Sequence, residues 1–439
     1  MRGGLQVSSG SLRRTGAVLL VLGVVGTAAG SPAYAEPSPS ASGGSTYRPP
    51  VTIAASGDCA NKDVEAVPWA LQRVVLNELW GIDKNGLATH SGKDVTVAVI
   101  DTGVDTANPQ LTGKVIDGPD LLGDSMASGG GQRPAGTSTT DPVGHGTKVA
   151  GIIAAAPRDR VGFVGLAKDA KILSIRQNDA EGHGSVNTLI KAIDKAIEAG
   201  AGVINISQDV RVEIDPNKPL DSPFQEEPDL KRVLDKAESK GIVVVASSGN
   251  DGAEGPTYPA KYETVLAVGA SDRNNERATF SQYGDFVDVV APGVDMLSTV
   301  PGAGQCTDNG TSFSAPYVSG LAAVLKSEHP GWTAQQIRTV IEQTAQRTEH
   351  GRNKWIGWGV VDPVKAVSFS GTPEASPHPD PPTKLDSNQL IAQPAGLEET
   401  QADRDRRTGT YVLGAGVLLV ACLAGGAIVA RDLGRRRRS

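Results

Sequence analysis

The sequence predicts an α/β layered fold around a mainly parallel central sheet, followed by one C-terminal transmembrane helix. Three observations carry this. Continuously apolar, β-branched runs recur along the middle of the chain: "DVTVAVID", "KILSIR", "GVINIS", "IVVVASS" and "TVLAVGA". Runs without alternation fit strands covered on both faces, as in parallel sheets. Amphipathic helical stretches lie between them, and strand–helix alternation of this kind gives a layered sheet with right-handed crossovers. Finally, "YVLGAGVLLVACLAGGAIVA" at 411–430 carries no charge and is long enough to span a hydrocarbon core.

Taken in order, residues 1–35 read as a secretory signal. Arg2, Arg13 and Arg14 precede the apolar run "GAVLLVLGVVGTAAG", and Ala33-Tyr34-Ala35 supplies a small-residue cleavage site. The alternative is an uncleaved anchor. Residues 36–90 form an N-terminal extension whose first part, 36–56, is rich in Ser, Pro, Gly and Ala and reads as a flexible leader. A single large domain follows at 91–370, long enough to bury a sizeable core. Residues 371–410, with "TPEASPHPDPP" and then a charged run, read as a Pro-rich stalk. After the span at 411–430 comes "RDLGRRRRS", whose arginines place the 431–439 tail in the cytoplasm by the positive-inside rule. These ends predict a single-pass protein of the cell membrane with its large domain outside.

Charge and cysteine content narrow the partners. Of 42 basic and 49 acidic residues, the signal holds three basic ones and the tail five basic and one acidic. That leaves 34 against 48 in the exported part, a net charge of −14. Such a surface argues against nucleic acid or anionic headgroups as ligands and is compatible with protein partners. Three cysteines are few for an exported protein. Cys422 lies in the membrane segment, so Cys59 and Cys306 are the candidate disulfide, the alternative being two free thiols. No metal cluster is legible, no cofactor is required, and no acidic loop has convincing calcium-ligand spacing, which leaves calcium undecided.

Within the domain, "VNTLIKAIDKAIEAG" places Leu189, Ile193 and Ile197 on one helical face and stops at Gly200. Thr333 and Gln336 form a capping box for a helix carrying Ile337, Val340, Ile341 and Thr344, with Trp332 and Ile337 placed as a hydrophobic staple. Two polar insertions, 124–141 and 208–229, interrupt the pattern.

In such sheets chemistry collects at the C-terminal ends of the strands. Asp101 ends "VTVAVI", and read alone it is a turn cap or a carboxylate that orients a histidine. His145 lies between glycines at the head of a small-residue helix, without the neighbouring ligands that a metal would need. Asn250 ends "VVVASSGN", either as a turn residue or as an amide donor to a developing oxyanion. The small residues Ser247, Ser248 and Gly249 before it read as a pocket wall. In "NGTSFSAP", Pro316 is tolerated in the first turn of a helix. The helix therefore starts near Thr311 or Ser312, whose hydroxyl is a cap or a nucleophile over unsatisfied N–H groups. The sequon Asn309-Gly310-Thr311 is a chance match in a short pattern. An acid, a histidine and a serine at element boundaries of one sheet supply orienter, base and nucleophile together.

The order Asp, His, Ser, with "AVIDTGV", "GHGTKVAG", "SSGN" and "GTSFSAPYVSG", strongly resembles the subtilisin-like serine proteases, the subtilases or peptidase S8 family. The resemblance runs over residues 91–366 and includes the closing "GWGVVDPVKA". It implies a subtilisin-like three-layer fold and hydrolysis of peptide bonds in protein or peptide substrates. Carried over, Asp101 is the orienting acid, His145 the general base, Ser312 the nucleophile and Asn250 an oxyanion donor beside the Ser312 N–H. Ser207, Ser247, Ser248 and Gly249 fall in substrate-binding segments. The frame of signal, "VPWALQRVVLNELW", stalk, span and basic tail is similar to the mycosins, the membrane-anchored subtilases of type VII secretion systems. That implies an N-terminal extension wrapped over the domain and association with the secretion membrane complex. Its alternative is a mainly structural component of that complex with dispensable proteolysis. Three departures stand out. "INISQDV" lacks a glycine-containing segment after Ser207, Lys168 stands where the family often has proline, and no cysteine lies near His145.

Overall fold

Seven parallel strands stand side by side in the order β2-β3-β1-β4-β5-β6-β7. They are β1 (Thr96–Asp101), β2 (Val115–Asp120), β3 (Lys171–Arg176), β4 (Val203–Ile206), β5 (Val243–Ser247), β6 (Val265–Ser271) and β7 (Val289–Pro292). The computed structural model describes residues 62–82, 86–122, 136–178, 184–208, 226–381 and 399–437. The signal segment, the leader, Cys59 and most of both polar insertions lie outside the described residues.

The central strands read as unbroken apolar runs because both faces are covered. Val97, Val99, Val203, Val243 and Val245 point into one hydrophobic cluster. Ala98, Ile100, Ile204, Ile206, Val244 and Ala246 point into the other. On the second face lie α4 (Val186–Glu198) and α5 (Glu227–Ser239). On the first lie α3 (His145–Ala154), α6 (Thr311–Glu328) and α7 (Ala334–Thr344). The result is the three-layer α/β arrangement of the sequence reading. Register then sets the site, because Asp101 pairs with Arg176 and Ile100 with Ile206. The ends of β3, β1 and β4 are thereby level.

Four strands fall outside the sequence expectation, for physical reasons. β2 ("VIDGPD") is an edge strand, half-exposed, and carries Gly118, where a Cβ would meet the Ser174 carbonyl oxygen at 2.3 Å. β7 is a short edge strand ending in Pro292. β8 (Met296–Thr299) and β9 (Gln305–Asp308) form a small antiparallel pair apart from the main sheet.

The N-terminal extension is laid on the domain from residue 62 onward. Val64 N–H donates to Gln305 Oε1 at 2.8 Å, and Trp69 Nε1 to the Val294 carbonyl at 2.9 Å. Trp80 Nε1 donates to the Leu166 carbonyl at 2.8 Å. Two short helices, α1 (Trp69–Gln72) and α2 (Leu76–Leu79), bury Leu71 and Leu79 in the first cluster. The first residues of the segment read as a stalk lie against the domain. After α8 (Pro363–Val367), Ala375 O, His378 N and Asp380 bond Gln335, Gln343 and Arg347 of the α7 side. α9 (Gln401–Arg436) contains the apolar stretch 411–430 but begins ten residues earlier, capped by Thr400. Its most apolar window has a mean hydropathy of 2.5 and is fully exposed. By length and composition it is a membrane-span candidate.

At α7, Thr333 Oγ1 accepts the Gln336 N–H at 3.1 Å, and Gln336 Oε1 accepts the Thr333 N–H at 2.9 Å. Ile337, Val340 and Ile341 face the core. Thr333→Ala removes one of these reciprocal bonds and is expected to destabilise the protein by about 1 kcal/mol. Urea unfolding should show a lowered midpoint with an unchanged slope.

Candidate active site

Asp101 ends β1 with no exposed surface. A buried carboxylate must find donors or a partner charge. Asp101 Oδ1 lies 2.8 Å from His145 Nδ1 and accepts the Thr102 N–H at 2.7 Å. His145 is the first residue of α3, and its side chain is 24% exposed, enough to meet a substrate. The close approach of α3 to β1 requires glycine at 146, where a Cβ would meet the Gly103 carbonyl oxygen at 2.0 Å. Burial presses the His145 pKa down, but the charge and hydrogen bond of Asp101 outweigh it, helped by Asp141 and opposed by Lys148. The imidazole is left above the ordinary histidine value.

A second buried acid holds the head of α3. Asp141 Oδ1 accepts from Gly144 N (2.8 Å), Val143 N (3.2 Å) and Thr102 Oγ1 (2.9 Å). Its Oδ2 accepts from Thr147 N (2.8 Å) and Thr147 Oγ1 (2.7 Å). Burial pushes the Asp141 carboxyl up, and the Asp101 charge adds to this, while the Thr147 and Gly144 donors pull it down. Thr102 joins the two acids, since its Oγ1 also accepts the Gly146 N–H at 3.0 Å. Asp141 is not among the site residues expected from the sequence, although an acid just before a small-residue helix is a capping signal.

Ser312 corrects the expectation for its helix. α6 starts at Thr311, so Pro316 is its sixth residue and lies inside the helix rather than in the first turn. Proline there removes the N–H that would bond the carbonyl four residues back, that of Ser312. Ser207 Oγ supplies the replacement, donating to Ser312 O at 2.8 Å. Ser207 is itself held by Asn205 Nδ2 (2.8 Å), and Asn205 Oδ1 accepts Ser319 Oγ (2.9 Å). All four residues are buried. The Ser312 hydroxyl caps nothing; it donates to the Ser207 carbonyl at 3.0 Å. No hydrogen bond joins it to His145 in this arrangement, though the ring of the next residue, Phe313, packs 5.4 Å from the imidazole. Ser314 Oγ is buried without a hydrogen-bond partner among the described residues.

Asn250 closes the site from the β5 side. Its Oδ1 accepts Thr311 N–H (2.9 Å) and Thr311 Oγ1 (3.0 Å), which caps the head of α6. A backbone N–H needs an acceptor, so the amide oxygen faces Thr311 and the Nδ2 donors face away. Gly249, at φ 104°, donates its N–H to Thr311 Oγ1 at 3.2 Å. Thr311 thus ties together the segments of Asn250 and Ser312. Ser247 and Ser248 are buried, and Ser248 Oγ donates to the Gln282 carbonyl at 3.2 Å, an internal role. Ser207 is buried against Ser312, and the segment after Gln208 lies outside the described residues. Cys306, on β9, is disulfide-bonded, and Cys422 is free. Cys59, the partner put forward from the sequence, lies outside the described residues. Among the described residues no group of three or more His, Cys, Asp or Glu is placed to hold a metal ion.

A buried acid on an imidazole, a serine at a helix head and an amide donor beside it can do nucleophilic acyl transfer. The chain is similar to known proteins. A sequence model of the subtilase family matches residues 92–359. Subtilisin Savinase of Lederbergia lenta is 38% identical over 303 residues, 69% of this chain and 99% of that protein. The structure of MycP1 from Mycobacterium smegmatis is similar with a TM-score of 0.61 and 28% identity, covering 77% of this chain and 93% of that one. That of the MycP3 protease from the type VII (ESX-3) secretion system gives 0.60 and 30%, covering 70% and 90%.

The charge balance around His145 makes a direct prediction. Its imidazole should titrate with a midpoint above 6.5. Asp101→Asn removes both raising effects of that residue and leaves burial, so the midpoint should fall below the wild-type value. Ring NMR of histidine-labelled protein, with His145 assigned by substitution, reads both values.

Proposed function

The chain belongs to the subtilase family of serine endopeptidases, and from that premise we propose that it cleaves peptide bonds with Ser312, His145 and Asp101 at the surface of a membrane to which it is anchored. The observation that carries the reading is the 2.8 Å contact between Asp101 Oδ1 and His145 Nδ1, on an imidazole that packs 5.4 Å from the ring of Phe313, the residue after Ser312.

In the proposed cycle, a bound peptide draws the Ser312 hydroxyl from the Ser207 carbonyl toward His145. Nε2 takes the hydroxyl proton as Oγ bonds to the scissile carbonyl carbon. Asp101 keeps Nδ1 protonated and offsets the positive imidazolium. The carbonyl oxygen gathers the negative charge, and it meets Asn250 Nδ2 and the N–H of Ser312 in the first turn of α6, where helix N–H groups lack internal acceptors. Collapse breaks the C–N bond, and His145 gives its proton to the leaving amine. Water then attacks the ester by the same route in reverse.

Protein or peptide chains are the proposed substrates. The acidic exported part argues against nucleic acid. The apolar stretch 411–430 would anchor the chain, with the peptidase domain outside and the arginine-rich tail in the cytoplasm. Likeness to the MycP3 protease from the type VII (ESX-3) secretion system supports association with such a membrane complex.

Turnover of a peptide library by the purified chain tests the chemistry. Ser312→Ala should abolish nearly all cleavage. Asn250→Ala should retain activity at a level lower by on the order of 10²- to 10³-fold, the effect of losing one oxyanion donor. A Ser312→Ala protein with wild-type turnover would overturn the assignment. For the secretion role, a strain lacking the chain should lose export of type VII substrates. If a Ser312→Ala strain exports normally, the chain serves that complex mainly as a structural part.

A further inference from the structure

One buried ion pair beside the site has no part in the hydrolysis described above. Lys148 lies on α3 one turn after His145, and its Nζ meets Asp308 Oδ2 on β9 at 2.6 Å. The two side chains are 10% and 9% exposed. Asp308 Oδ1 accepts the N–H of Asn309, so the carboxylate is fixed to the turn that opens "NGTS". Lys148 Nζ also lies 6.0 Å from the ring centre of Phe313, and the imidazole of His145 lies 5.4 Å from the same ring. Ser298 Oγ donates to the Lys148 carbonyl at 2.6 Å, joining this turn of α3 to β8. For stability alone, a buried pair is a poor choice, because desolvation consumes most of the Coulomb gain and two apolar side chains would pack as well.

We propose that Lys148 is a positioning residue for the base: held by Asp308, it pins the His145 helix to the strand that leads into Ser312 and supplies a positive charge facing the imidazole. The inference rests on the proteolytic reading above. The charges around His145 come from several elements. β1 and the loop after it bring Asp101 and Asp105, the turn before α3 brings Asp141, and β9 brings Asp308. β8 brings no ionisable group. α6 meets the imidazole through Phe313, which carries no charge. At the end of β3, Arg176 is engaged with Asp120 at 3.4 Å. Asp101 and Asp141 favour protonation of the imidazole, whereas burial and the charge of Lys148 oppose it, and Asp308 sits on the Lys148 ammonium.

The two partners therefore have opposite effects, which a merely structural pair would not. Lys148→Met removes a cation and leaves a buried anion, so His145 holds its proton to higher pH. Asp308→Asn leaves the cation uncompensated, so His145 loses its proton at lower pH. The readout is the pH dependence of the rate at which a fluorophosphonate probe labels the full-length chain. The acid limb should move up by about half a pH unit in Lys148→Met and down by a similar amount in Asp308→Asn. Lys148→Arg should keep the limb in place, and Lys148→Met with Asp308→Leu should return it toward wild type. Should Lys148→Met fail to fold, as a thermal melt would reveal, the downward shift in Asp308→Asn and the unmoved limb in Lys148→Arg still decide. Equal slowing of both single variants at every pH, with unmoved limbs, overturns the proposal and leaves the proteolytic reading intact. A wild-type chain that the probe does not label overturns both.

Discussion

A carboxylate without exposed surface, at the end of a strand covered on both faces, is the constraint around which the site is arranged. Asp101 is costly where it stands unless donors and a partner cation surround it. Thr102 supplies its N–H from the next residue, and His145 supplies the partner. To reach Asp101, α3 must begin close against β1, which Gly146 permits and Asp141 enforces by collecting the N–H groups of the helix head. The same bond that relieves the buried acid raises the basicity of the imidazole. Structural compensation and chemical activation are one interaction here.

Ser312, the proposed nucleophile, is placed by a different defect. Pro316 leaves the Ser312 carbonyl without its helical partner, and a chain of buried hydroxyl and amide groups from Ser319 through Asn205 to Ser207 fills the gap. Ser207 gives its hydroxyl to the carbonyl of Ser312 and receives the hydroxyl of Ser312 on its own carbonyl. This ties the serine to the end of β4, the strand next to Asp101 in the sheet. A buried polar network is favourable only when every member is satisfied, and this one is completed by a break in a helix.

Much of this is legible from residues alone, and the remainder has identifiable reasons for being hidden. β1, β3, β4, β5 and β6 declare themselves because burial on both faces demands continuous apolar runs. β2, β7, β8 and β9 do not, being edge or satellite strands with Gly, Pro or polar residues. Asp101, His145, Asn250 and Ser312 stand out because each falls at an element boundary next to small residues. Asn205 and Ser319 are invisible locally, since their meaning comes from a contact across 114 positions of chain. Pro316 shows the limit of a local rule: proline is excluded from a helix interior only when nothing distant satisfies the freed carbonyl. Thr311 reads as a simple cap, yet it receives no cap of its own making; it binds Asn250 and Gly249 to the head of α6.

A sheet whose strand ends are level, an imidazole on a buried acid, and a serine held by a repaired helix support the proposed roles of His145 and Ser312. The most direct measurement is the site of covalent modification: fluorophosphonate-treated full-length chain, digested and mapped by tandem mass spectrometry. The adduct should lie on Ser312 alone and should be lost in His145→Ala. Modification of Thr311, Ser314 or Ser207 instead, or an adduct on Ser312 that forms as fast without His145, would contradict the assignment of nucleophile and base.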